Sequence, residues 1–198
     1  MLDNIRELDR QLFLALNFDG GPFWDSVFGL VTGRVFWIPL YILIIWLLYR
    51  KFGLRNTIIA ALCIGAIVGL ADQICNLFKD FMPSPRPTYT PELSGQVHTI
   101  NDYWGGRSGT VSAHAATSFG IAVFTALKLR SRVYSILIFI WALLVSYSRI
   151  YVGLHFPDDL FFGAVVGALV ALGMLAFYNW LIRKLAQRKE HKLRNEQL

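Results

Sequence analysis

Two histidines, three cations and one carboxylate stand in this sequence at spacings that suit the handling of phosphate. Lys79 and Arg86 flank a proline-rich bend, Lys79-Asp80-Phe81-Met82-Pro83-Ser84-Pro85-Arg86-Pro87. Ser112-Ala113-His114 opens an apolar stretch, and Arg149, His155 and Asp159 follow one another within Ser148 to Asp159. A phosphoryl group in flight spreads negative charge over its oxygens, so a site for it needs fixed cations and backbone N–H groups. Lys79, Arg86 and Arg149 supply the cations, the two arginines as forks that match phosphate oxygens. The start of a helix around Ser112 to His114 supplies N–H groups and a favourable dipole. A neutral imidazole can attack phosphorus, and a second histidine can protonate the departing oxygen at near-neutral pH. Asp159 lies one helical turn after His155, where it can hold the imidazole tautomer.

These residues have to be brought together by elements that live in lipid. The 198-residue chain is 55% hydrophobic and only 16% charged, against about 25% charged in soluble domains. Its mean hydropathy is +0.47. A formal charge of +6 therefore does not describe a nucleic-acid-binding surface, and no nucleic acid is expected as a partner. Cys63 and Cys75 lie inside apolar stretches and predict no disulfide framework.

A helical span needs about 20 apolar residues. Five stretches approach that length: about 35–49, 56–78, 111–129, 133–148 and 160–182, the first and fourth extending by a turn. The predicted fold is all-α, a polytopic bundle of about five spans. It forms a single domain with an interfacial N-terminal segment (1–34), whose residues 5–18 form an amphipathic helix. The N-terminus carries acids where a cleavable signal peptide would carry bases. The longest polar interval, 80–110, is predicted to be an active-site loop, and 184–198 a basic tail. Pro157 suits the first turn of the last span.

Lys and Arg set the orientation. Arg50, Lys51, Arg55, Lys128, Arg130, Arg132 and the tail, which includes Lys189, Lys192 and Arg194, give one side twelve cations against two acids. The other side has seven cations and ten acids. The first side is predicted to be cytoplasmic, and the 80–110 loop to face out. On that outer side the end of the second span, the start of the third and the turn between the fourth and fifth converge.

The three converging segments resemble the signature of the type 2 phosphatidic acid phosphatase superfamily, K-x6-RP, PSGH and SR-x5-H-x3-D. Lys79, Arg86 and Pro87 fit the first, and Ser148, Arg149, His155 and Asp159 the third. Ser112 and His114 fit the second, with Val111 in place of proline and Ala113 in place of glycine. Ala113 keeps its N–H, so the departure bears on substrate fit rather than chemistry. The resemblance implies that His155 is the nucleophile, Asp159 its orienting partner and His114 the general acid. It implies that Lys79, Arg86, Ser112, Ala113 and Arg149 hold the phosphate, with no metal or other cofactor. The expected activity is removal of a terminal phosphate from a lipid phosphate in a bacterial inner membrane, through a phosphohistidine. Undecaprenyl diphosphate and lipid A rank ahead of phosphatidylglycerol phosphate and phosphatidic acid. A phosphotransferase using the same phosphohistidine, and a non-catalytic lipid-phosphate transporter or binder, are the alternatives.

Outside the signature, Arg107 is open to either a solvated or a functional role. Asp72 is expected to pair locally with a group such as Asn76, and His98 and His191 to be surface histidines. The sequence is silent on oligomeric state.

Overall fold

A computed structural model describes residues 2–196 as helices and loops. The side chains of 2, 3, 5, 189–194 and 196, which include Ile5 of the expected amphipathic helix, His191 and three of the tail's cations, lie outside the described residues. Six α-helices follow in order: α1 (Leu2–Leu16), α2 (Gly21–Thr32), α3 (Ile38–Phe81), α4 (Ala113–Leu129), α5 (Arg132–Tyr151) and α6 (Pro157–Glu196). Among the described residues the only β pairing is an isolated bridge between Pro85 and Ser108.

The first two expected spans form the single long helix α3, broken where Gly53 takes φ 75° and ψ 170°. That conformation suits glycine, and it folds α3 into two arms. Tyr41 and Ile45 on the first arm line the same cavity as Ile64 and Val68 on the second, so the arms run side by side. Segments Val35–Phe81, Arg132–Tyr151 and Pro157–Arg188 are long and apolar enough to cross a membrane. Their large side chains point outward, with Leu62 70% and Leu169 64% exposed. Such faces belong in hydrocarbon.

α4 is shorter, at 17 residues. It is also the most enclosed helix, packed against α3, α5 and α6. Small residues make that enclosure tight. A Cβ on Gly167 of α6 would lie 2.0 Å from the Ala116 carbonyl oxygen, and one on Gly163 2.5 Å from that of Ser112. Such close crossings are the usual mode of helix association in lipid. α6 continues well past the apolar stretch, because Lys, Arg, Glu, Gln, Leu and Ala are all good helix formers.

The N-terminal helices pack on the end of the bundle that carries the 80–110 loop, called here the loop end. Phe13 is fully buried and meets Phe156 edge-on at 5.3 Å. The Asn17 side-chain amide donates to the carbonyls of Ile150 and Tyr151, both at 2.9 Å, so it satisfies groups left over at the end of α5. Phe28 of α2 stacks on Tyr151 at 4.2 Å. His98 is a tie rather than a free surface histidine. Its Nε2 lies 2.9 Å from Asp25 Oδ1, which also accepts from the Tyr151 hydroxyl at 2.7 Å.

Candidate active site

The N-termini of α4 and α6 meet at the loop end. The Ser112 N–H donates to the Asp159 carbonyl at 3.0 Å, and its Oγ caps α4 by accepting from the Ala115 N–H at 3.4 Å. Ser112 is completely buried. The amides of Ala113 and His114 are first-turn donors with no partner in the helix. Ala113 thus retains the N–H that the family's glycine would offer.

Between α5 and α6 the chain turns sharply through 152–156. Gly153 has φ +73°, and a Cβ there would come within 2.7 Å of the His98 carbonyl oxygen. This turn presents His155 to Asp159, with Nδ1 and Oδ2 3.1 Å apart. The same carboxylate oxygen accepts from the Phe156 N–H at 3.1 Å. His155 is 2% and Asp159 5% exposed. A carboxylate at Nδ1 draws the ring proton to that side, which leaves the Nε2 lone pair free. Burial, then the cations of Arg86, Arg149 and Lys79, hold His155 well below its usual range. The surroundings thus disfavour the charged form of the imidazole.

The three expected cations converge on that imidazole. Arg86 is anchored through its Nε to the Ser108 carbonyl and through an Nη to that of Leu154, each at 3.1 Å. Gly109 makes room for it, since a Cβ there would sit 2.9 Å from Arg86 Cγ and 3.5 Å from Asp159 Oδ2. Arg149 donates to Thr32 Oγ1 at 2.5 Å, and its Nε is buried with no acceptor. Lys79 ends α3, where its carbonyl accepts from Ser108 Oγ at 3.4 Å. Among the described residues none of the three forms an ion pair with a carboxylate. Cations left unpaired beside two helix N-termini make an anion site.

His114 occupies the first turn of α4, and its ring meets the Thr32 backbone. All eight residues singled out in the sequence thus gather at one end of the bundle. Arg107 does not join them through its side chain, which is exposed; its carbonyl accepts from the Arg86 N–H at 3.0 Å. Asp72 accepts from Asn76 Nδ2 at 3.3 Å, the expected local pairing.

The sequence reading missed the contribution of the N-terminal segment. Thr32 holds Arg149, and Arg34 stands beside His114 at the mouth of a cavity. An isolated threonine and arginine at the end of a short helix carry no motif that would mark them.

This geometry gathers an imidazole–carboxylate pair and three cations at one end of a helical membrane bundle. Comparison with known proteins shows the family. The PAP2 superfamily matches residues 60–183. A lipid A 4'-phosphatase of Bacteroides thetaiotaomicron is 35% identical over 99% of this chain and 84% of its own length. A second lipid A 4'-phosphatase, from Porphyromonas gingivalis, is 34% identical over 85% of this chain and 72% of its own length. Two crystal structures share the fold. Aquifex aeolicus LpxE aligns with TM-score 0.61 and 24% identity, covering 84% of this chain and 93% of that one. A PAP2-type phosphatidylglycerolphosphate phosphatase from Bacillus subtilis aligns with TM-score 0.66 and 18% identity, covering 88% and 86%. The chain belongs to the PAP2 superfamily and is a bacterial membrane lipid phosphatase.

Proposed function

We propose that this phosphatase removes a terminal phosphate from a phosphorylated acyl-glycolipid of the lipid A type, through a phosphohistidine on His155. The observation that carries the chemistry is the His155–Asp159 pair at 3.1 Å, with Nε2 left free among three unpaired cations. The choice of substrate rests on the two lipid A 4'-phosphatases to which the chain is similar. Undecaprenyl diphosphate, phosphatidylglycerol phosphate and phosphatidic acid become the comparison substrates.

In this mechanism His155 Nε2 attacks phosphorus and the bond from phosphorus to the lipid oxygen breaks. His114 gives that oxygen a proton and releases the lipid alcohol. Water then attacks the phosphohistidine, His114 takes a proton back, and inorganic phosphate departs. Lys79, Arg86, Arg149 and the amides around Ser112 and Ala113 hold the phosphoryl oxygens throughout. A bound phosphate dianion offsets the field of the cations and so favours the proton on His114. Asp159 keeps the Nδ1 tautomer and stabilises positive charge on the phosphorylated ring. No residue in this sequence of steps calls for a metal.

The charge asymmetry supports five crossings of the inner membrane with the loop end outward and the tail inside, as a single domain. The N-terminal helices, which expose Leu8, Phe23 and Trp24, suit a position in the outer interface.

The test is phosphate release by purified protein in detergent, with a chelator present, from lipid A, undecaprenyl diphosphate and phosphatidylglycerol phosphate. His114→Ala should lose on the order of 10²–10⁴-fold, and His155→Ala at least as much. Unchanged release in both variants refutes the mechanism. Full loss on chelation refutes its metal independence, and phosphate appearing on an added alcohol instead of in water identifies a phosphotransferase.

A further inference from the structure

A cavity of about 260 Å³ begins at His114 and runs between the arms of α3 and the helices α4 and α5. Neither His155, Asp159, Lys79 nor Arg86 lines it. That asymmetry has a chemical meaning, which rests on the mechanism proposed above. In-line displacement places the leaving oxygen opposite the attacking nitrogen, and the leaving oxygen is the one His114 protonates. Whatever extends from the phosphate past His114 is therefore the departing alcohol and not the phosphoryl group.

The character of the cavity changes along its length. Around His114 the wall includes Thr32, Arg34 and Thr117; further in it is formed by Trp37, Ile64, Ile121 and Val145, among other apolar residues. Arg34 is exposed and forms no ion pair with a carboxylate among the described residues. A cationic rim over an apolar interior matches a hydrocarbon chain joined to an anionic headgroup. The apolar part of such a cavity gains from being filled by apolar groups.

We propose that this cavity is the leaving-group site, which takes one hydrocarbon chain of the departing lipid, with Arg34 at its mouth facing the headgroup. Selectivity among lipid phosphates then depends on the shape of the α3–α4–α5 cavity as well as on the three motifs. Most of the relevant residues lie on α3, α4 and α5, a turn or more from those that hold the phosphate.

The test uses the full chain in detergent and a series of phosphatidic acids from short to long acyl chains, with p-nitrophenyl phosphate as the chainless substrate. In the unaltered protein kcat/KM should rise with chain length. Val145→Phe and Ile121→Phe, each of which adds bulk to the cavity wall, should lose at least tenfold on the long-chain substrate and stay within twofold on p-nitrophenyl phosphate. Arg34→Gln should raise KM for the long-chain lipid by a larger factor than for the chainless substrate. Long-chain activity retained in both filling variants overturns the proposal, as does equal loss on long and chainless substrates in variants whose thermal unfolding is unchanged.

A binding arm separates this outcome from failure of the phosphohistidine mechanism. Dodecylphosphonate, whose P–C bond is not hydrolysed, should raise the unfolding temperature more than methylphosphonate does, both in the unaltered protein and in His155→Ala. In Val145→Phe that difference should vanish. If it persists there, the cavity does not hold the chain, whatever the catalytic variants show.

Discussion

The two ends of α4 hold cations in opposite ways. At its C-terminal end, the tail end of the bundle, the backbone presents unpaired carbonyls and partial negative charge. Lys51 donates to the Leu129 carbonyl there. Lys128 lies 3.8 Å from the centre of the Tyr178 ring and 4.8 Å from that of Phe52. Each of these charges is matched by something the protein itself supplies. At the N-terminal end, Lys79, Arg86 and Arg149 crowd two helix starts whose dipoles are already positive, and the one buried carboxylate nearby is committed to His155. Arg86 also meets two carbonyls, so what sets the loop-end cations apart is their crowding on one another and on two helix starts, the arrangement proposed above to serve a ligand. Such crowding of like charge opposes stability, and on the proposed function it is the substrate phosphate that offsets it.

The largest effect that tests this contrast comes from removing a cation at the loop end. Lys79→Met is the cleanest choice, because its ammonium has no hydrogen-bond partner among the described residues. We expect kcat/KM to fall on the order of 10²–10³-fold, as when a preorganised donor to transition-state charge is lost. The unfolding temperature should stay level or rise, since a half-buried unmatched charge has gone. Phosphate at about 100 times its dissociation constant should stabilise the unaltered protein by about 2.7 kcal/mol and the variant less. Activity that falls only in step with lost folded protein would erase the distinction between the two ends.

Next in size is the frame that forces the two helix starts together. Gly167→Ala places a methyl group where the Ala116 backbone already lies, and over-packing of this kind costs about 1–3 kcal/mol. Thermal unfolding in detergent should show that loss together with reduced turnover, because α4 and α6 carry His114 and Asp159. Gly173→Ala, on the same helix but with open space around it, should be neutral or stabilising by about 0.4–1 kcal/mol. If both behave alike, close packing is not what holds the site together.

Smaller still is the effect at the tail end. Lys128→Met removes a cation held over two rings, an interaction of about 0.5–1 kcal/mol. The unfolding temperature should drop slightly while kcat is unchanged, the reverse of Lys79→Met. A loss of turnover without loss of stability would place Lys128 in the same class as the loop-end cations.

Much of the loop end was legible in the sequence because its chemistry depends on local spacing. His155 and Asp159 are four positions apart and face each other one turn along; Ser112 caps the helix that it precedes. Lys79 and Arg86 are set by a bend that prolines stiffen. The helices were legible because lipid imposes apolar runs of a given length, although Gly53 joins two expected spans into one broken helix. Contacts across long separations left no such trace. Thr32 meets Arg149 across 117 positions, and Asn17 reaches Tyr151 across 134. Their residue types are ordinary and only the folded chain gives them a role. His98 shows the same limit in reverse, since a lone loop histidine gives no sign of the Asp25 that fixes it.

The last test concerns the acids at the loop end. Asp9 on α1 accepts from the Asp158 N–H at 3.1 Å and so caps α6 from another helix. Burial first, and then the neighbouring Asp158 carboxylate, push the Asp9 carboxyl up to about 7. In the unfolded chain it titrates at about 3.9. Between those values the folded protein keeps a proton that the unfolded chain has lost, so this group's contribution to stability falls as pH rises from about 4 to about 7 and is level above that. Asp9→Asn keeps a side-chain oxygen for the Asp158 N–H and removes the titration. Unfolding temperatures measured in detergent from pH 4 to 8 should therefore decline less steeply in Asp9→Asn than in the unaltered protein. Lys128→Met should leave the slope as it was, because Lys128 has no contact with Asp9 or Asp158 among the described residues. Identical slopes in Asp9→Asn and the unaltered protein would show that the pH response arises elsewhere, and that the cost of crowded charge at the loop end lies with its cations alone.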